Sequence, residues 1–182
     1  IINESSDTIT IGASGDTIAL AGTTVTGITQ GITGADQWRI TANHVGVSVI
    51  TANWERVDTY SYGKIGTGMS ESSGIFTFPS TGIWRIDFYA TSQVTGGSSD
   101  YIRGDIDHTE DNGTYNTAAV GYTGLASNYY GNISIVSFFD VTNVSTHKVR
   151  FELGQNQANT ATFHGTTSQN RTAATFTRLG DT

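Results

Sequence analysis

Residues 74–89, GIFTFPSTGIWRIDFY, restrict the fold of this chain more than any other segment. Phe76 and Phe78 alternate with Ile75 and Thr77; Trp84, Ile86 and Phe88 then alternate with Arg85, Asp87 and Tyr89. Successive side chains of a strand point to opposite faces, so the second half carries one apolar aromatic face and one polar face. Pro79, the single proline, lacks a backbone N–H and fixes φ, which suits a strand end. Gly82 frees the backbone to turn, so the stretch reads as strand, corner, strand.

The same period of two continues through the chain, and no segment keeps a helical period. Expected strands are Gln37–Thr41, Val45–Thr51, Trp54–Thr59, Gly74–Phe78, Ile83–Thr91, Tyr101–His108, Thr114–Tyr122, Tyr129–Val141, His147–Leu153 and Thr172–Leu179. In the ninth, Val149, Phe151 and Leu153 face one way and Lys148, Arg150 and Glu152 the other. Tyr129–Val141 is long and mixed, as expected of a strand covered by core on one side and a partner on the other. Ten strands at this spacing predict an all-β, two-sheet sandwich of the jelly-roll kind.

Ahead of this region the sequence repeats. DTITIGASG at residues 7–15 is followed by DTIALAG at 16–22, pairing Ile9 with Ile18 and Ile11 with Leu20, and a third copy decays over 23–33. Each unit reads as a short strand and a Gly/Ser turn that cannot bury its apolar face alone. A flexible linker and an intersubunit stem both suit such a segment; the regular Ile9, Ile11, Ile18 and Leu20 favour the stem, with three chains around one axis. The expected organisation is a β-repeat stem or anchoring segment over 1–34 and a head over 35–182. The first residue is Ile1, which suggests a processed or truncated start.

Composition narrows function by exclusion. The net charge of −7, with only 9 Lys and Arg, argues against nucleic-acid binding. Without cysteine, neither disulfides nor thiolate metal sites are expected. No apolar run is long enough to insert into a bilayer. Charged residues make up 14% of the chain, about half the usual share, and abundant Thr suits sheets with neutral polar faces.

The order of motifs resembles the globular head of the complement one-q and tumour necrosis factor superfamily. Trp54-Glu-Arg-Val57 stands for its first conserved strand, Tyr60 or Tyr62 for its tyrosine loop, and Gly74, Phe76, Pro79, Gly82 and Trp84 for its most specific block. Gly131 to Ile135 and the closing Thr175, Phe176 and Leu179 complete the match. Two departures are the long polar Gly154–Arg171 loop and Val141–Thr146, which replaces the family's Gly-Asp turn. The resemblance implies a ten-strand jelly roll that forms tight homotrimers on an N-terminal stalk. Tyr129 and Phe138 are the head residues expected at a trimer contact, and Tyr101, Tyr115, Tyr122 and Tyr130 are further tyrosines that an assembly would cover.

Candidate contact loops are Gly96–Asp100, Glu110–Tyr115 and Gly154–Arg171, with Ser98, Asp100, Asn112, Tyr115, Asn156, His164 and Asn170 as binding residues. Asp105 and Asp107 share a strand face, with Glu110 and Asp111 just beyond. Oxygen ligands of this kind suit calcium, so Asp105, Asp107 and Asp111 are a candidate site, although a solvated strand end accounts for them more simply. His44, His108, His147 and His164 lack metal spacing. No nucleophile elbow, phosphate loop or dinucleotide fingerprint occurs, so no catalytic residue and no cofactor are expected. Of five sequons, at Asn3, Asn112, Asn132, Asn143 and Asn170, Asn132 falls within a strand.

The leading expectation is a trimeric bacteriophage virion protein: a fibre, spike or capsid decoration whose stem meets other virion proteins and whose head attaches to a host glycan or protein. A secreted complement-like binding module is the main alternative, and a glycan-cleaving fibre enzyme a third.

Overall fold

The structure is a computed structural model describing residues 31–97, 99–156 and 161–182. The chain divides into two units, and the second, Gly31–Thr182, carries the fold. Ile9, Ile11, Ile18 and Leu20 of the expected stem, and Ser98, lie outside the described residues.

Thirteen strands follow one another among the described residues: β1 (Gly34–Ile40), β2 (His44–Val45), β3 (Ser48–Val49), β4 (Trp54–Arg56), β5 (Ser70–Ser72), β6 (Ile75–Thr77), β7 (Gly82–Val94), β8 (Ser99–Thr109), β9 (Asn116–Leu125), β10 (Tyr130–Val141), β11 (Lys148–Gln155), β12 (Ala161–Phe163) and β13 (Thr172–Gly180). No helix occurs among the described residues. The expected strand Val45–Thr51 is divided into β2 and β3 at Gly46, whose φ is +104°. The short β5 and β12 were not expected; β12 lies inside the segment read as a long polar loop.

All strand pairs among the described residues are antiparallel. The first sheet runs β10–β7–β13–β1–β4, with β12 continuing the line of β13 along β7 and β2 beyond it. The second runs β5–β6–β11–β8–β9, and β3 also pairs with β11. These two sheets form the expected jelly-roll sandwich.

The alternation read in β7 is the packing that holds the sandwich together. Trp84, Ile86, Phe88, Ala90 and Val94 are fully buried, as are Val149, Phe151 and Leu153 of β11 opposite. Phe76 sits among Trp38, Trp54, Phe151 and Phe176 at centroid distances of 5.5, 5.0, 5.5 and 5.2 Å. Pairs of this geometry add about 0.5–1.5 kcal/mol each beyond area burial. The Pro79 corner is closed by Phe78 against Trp84 at 5.3 Å, while the Trp84 indole donates to the Ser80 carbonyl at 3.1 Å. Gly74 is required: its φ is +82°, and a Cβ there would strike the Ile50 carbonyl oxygen.

Asp36 organises the long connection between β4 and β5. Its buried carboxylate accepts from the Trp38 indole (3.0 Å), Arg56 Nε (3.0 Å), the Tyr62 hydroxyl (3.0 Å) and the Met69 backbone N–H (2.7 Å). Burial and the adjoining Asp36 carboxylate hold the Tyr62 phenol far above its ordinary range. Of the two tyrosines that could occupy the family's tyrosine loop, Tyr62 is therefore the structural one, and Tyr60 points into solvent at 84% exposure.

Candidate interaction surface

Strand register sorts the expected contact residues onto two opposite ends. Gly34 pairs with Arg178, Arg178 with Trp84, and Gly82 with Val141, so the chain enters the head and leaves it at one end. The Glu110–Tyr115 loop, with Asn112 and Tyr115, lies at that same end, where the Asn112 N–H donates to the Thr146 carbonyl. At the far end of β8, roughly 33 Å along the strand, Asn156 donates to Asp100 at 2.8 Å and accepts from Ser99 at 2.9 Å. His164 follows β12 at this far end, 5.4 Å from the Tyr130 ring. Burial and nearby Arg171 lower its pKa. The structure therefore brings Asp100, Asn156 and His164 to one end and separates Asn112 and Tyr115 from them.

Asn170 belongs to a different surface. Its Nδ2 donates to Gln37 Oε1 at 2.8 Å, its carbonyl accepts from the Tyr89 hydroxyl at 2.7 Å, and its Oδ1 is buried without a partner. It borders an open cleft of about 410 Å³ on the outer face of the first sheet, between the 57–62 and 168–170 segments. Arg39, only 1% exposed, lies at this cleft bound to Glu55, Asp58 and the Thr59 hydroxyl. A larger cleft of about 590 Å³ lies between the 108–118 segment and Phe138–Phe139. His108 borders it and stacks on Phe139 at 4.1 Å; burial pushes its pKa down to about 4.

The row Asp105, Asp107 shares an outward face of β8, as its spacing implied, yet both carboxylates are buried and committed to arginines. Arg103 reaches Asp105 at 2.9 Å and Glu152 at 2.8 Å, while Arg150 reaches Asp107 at 3.1 Å and lies 4.1 Å over the Tyr115 ring. Burial, outweighing Arg103 and helped by Asp107 and Glu152, raises the Asp105 pKa to about 6. Asp111 is turned elsewhere: hydrogen bonds from Thr109, Gly113 and Thr114 lower its pKa to about 2. Among the described residues, no group of three or more acidic or histidine side chains is arranged to hold a metal ion.

A set of exposed apolar side chains follows the edge strands of the two sheets. Val120 and Tyr122 of β9 are exposed, as are Tyr130, Val136 and Phe138 of β10 and Tyr129 just before it. Tyr122 (58%) and Phe138 (61%) are large rings left open by a chain whose core is otherwise closed. Tyr101 packs edge-on against Tyr122 at 5.3 Å and extends the same surface. Isolated exposed apolar residues need no explanation, but this band of exposed side chains along the two edge strands, β9 and β10, is left uncovered by the single chain.

No family model matches the chain, and no curated protein matches it in sequence. Solved structures do match in fold. Eiger TNF from S. frugiperda superposes with a TM-score of 0.57 at 9% identity, covering 81% of this chain and 93% of that one. The globular domain of zebrafish complement 1qA protein gives 0.54 at 10% identity, covering 82% and 99%. The PRD1 vertex protein gives 0.51 at 14% identity, covering 83% and 100%. The fold is the complement one-q and tumour necrosis factor-like jelly roll.

Proposed function

We propose that this jelly roll is the head of a non-enzymatic homotrimer on a virion, a bacteriophage fibre, spike or capsid decoration, carried on the 1–34 segment as a β-repeat stem. The observation that carries the reading is the aromatic band on β9 and β10, which an isolated head would leave in water. A ring of three closes when this band meets a different patch on the next chain. Ile32, Ile65 and Leu179 supply one near the start of β1. Ile9, Ile11, Ile18 and Leu20 would join the same threefold assembly. Similarity in fold to a virion vertex protein supports the location.

Sedimentation of the full chain at micromolar concentration should give the mass of three 19.4 kDa subunits. Phe138→Glu combined with Tyr122→Glu should give folded monomers, because two charges would be desolvated in the contact. A folded wild-type monomer would refute the assembly. Antibody labelling of purified particles tests the location. Similarity to the complement domain favours a second reading, a secreted glycan- or protein-binding module, and label absent from particles but present in culture medium would select it.

A further inference from the structure

Strand register sets exposed apolar side chains of the first sheet in two level rows. Residues directly opposite each other in antiparallel strands share a level and a face. The row near the chain's entry reads Phe138, Arg85, Thr177, Ala35 and Ile65, from β10 through β7, β13 and β1 to the segment bridged to Ala35. The second row reads Tyr130, Gln93, Thr162 and Val45, from β10 through β7 and β12 to β2. Along β7 the rows stand roughly 26 Å apart, from Arg85 to Gln93. Both begin on an exposed aromatic ring, 61% for Phe138 and 62% for Tyr130. Both end, on the opposite side of the sheet, on an exposed aliphatic residue, 46% for Ile65 and 63% for Val45. Rotation about an axis along the strands carries a residue sideways without changing its level. In a ring of copies related this way, each aromatic meets an aliphatic residue of the next copy at its own level.

Charge completes the first row. Lys64, next to Ile65, is exposed and donates only to the Thr67 carbonyl. Phe138 borders the 590 Å³ cleft, whose charged lining is Glu110 and Asp111; burial keeps His108 neutral there. Asp111 is held by Thr109, Gly113 and Thr114, whereas Glu110 is exposed and has no partner among the described residues. The cations of neighbouring β11 are committed, Arg150 to Asp107 and Lys148 to the Val144 carbonyl. A lysine without a carboxylate and a carboxylate without a cation thus stand at opposite ends of one row. We propose that a second copy of this chain docks on the β9–β10 side in one fixed register: Phe138 against Ile65, with Lys64 entering the cleft to pair with Glu110, and Tyr130 against Val45. The proposal rests on the trimeric reading above and names the residues that meet. Complementary edges at two levels of a single chain are what self-association requires and a foreign partner does not.

The chain has no cysteine, so paired substitutions report the contact directly. Full-length Phe138→Cys/Ile65→Cys and Tyr130→Cys/Val45→Cys proteins are oxidised separately, so that the untouched level keeps the copies together, and run on non-reducing denaturing gels. Within one copy each pair spans roughly 14–19 Å of sheet. A disulfide tolerates a Cα separation of only about 7 Å, so any bond joins two copies. Each matched pair should give a covalent trimer as its largest product, because three such bonds close the ring. The crossed pair Phe138→Cys/Val45→Cys should remain monomeric on the gel. Lys64→Glu should raise the concentration for half-dissociation about tenfold, and adding Glu110→Lys should restore the wild-type value. If wild-type protein sediments as a trimer but the matched pairs link no better than the crossed pair, this register is overturned and the trimeric reading stands. A double charge variant as dissociated as Lys64→Glu alone also overturns it. Covalent dimers, an open ladder of products or a wild-type monomer refute the ring of three and the register together.

Discussion

Replacing Asp105 by Asn should stabilise the head, and the gain should grow with pH. The carboxyl has 4% of its surface exposed and one oxygen without a partner, and its Arg103 partner is shared with Glu152. Its pKa rises from 3.8 to about 6, first because burial penalises the charge and then because Asp107 and Glu152 repel it. A folded-state pKa above the unfolded value means that the native chain holds the proton more tightly. The stabilisation from Asp105 is therefore complete below 3.8 and is lost as pH rises through about 6. A rise of about two pH units at about 1.4 kcal/mol each amounts to about 3 kcal/mol. Asn mimics the protonated form and keeps an acceptor for Arg103. Urea unfolding of both proteins at fixed concentration, from pH 4 to pH 8, should show a difference near zero at the acid end that rises to about 2–3 kcal/mol above pH 7. A variant that is less stable throughout, or a difference independent of pH, would refute the reasoning.

His108 titrates with the opposite sign. Its folded pKa of about 4 lies below the ordinary 6.5, so its contribution is intact above 6.5 and is lost as pH falls towards 4. Wild-type protein should lose stability across that window relative to His108→Phe, which keeps the stack on Phe139; parallel pH profiles would exclude this. Gly74→Ala should cost at least about 2 kcal/mol, combining a left-handed backbone with the blocked approach to Ile50. A urea midpoint equivalent to less than about 0.5 kcal/mol of change would contradict it.

The sandwich was legible in the sequence because its signal is local. Trp84, Ile86 and Phe88 announce their face through alternation alone, and Gly74 and Pro79 mark the corner through backbone chemistry. What was hidden depends on distant partners. Asp105 and Asp107 suggest a cation by their spacing, but Arg150, which joins the ladder only through β8–β11 pairing, occupies Asp107. The cleft beside Arg39 combines residues 37–39, 57–62 and 168–170, so only Asn170 was singled out beforehand as a binding residue. Arg39 between Trp38 and Ile40 was the available hint: a charge within an apolar strand start must find partners. β12 was missed because three residues in a polar stretch carry too little alternation to register.

The position of β13 between β7 and β1 sets a constraint on how the head is made. Its residues 172–180 follow every other described strand in the chain, yet they fill the middle of the first sheet. Until they arrive, β1 and β7 have no common neighbour, and joining β1 to β13 requires contacts separated by more than a hundred residues, an inherently slow closure. A chain interrupted before residue 172 would expose two unsatisfied strand edges and the bed of Phe176. Such fragments would enter aggregates or proteolysis rather than assembled heads. Synthesis order thus acts as a length check, admitting only chains translated through β13.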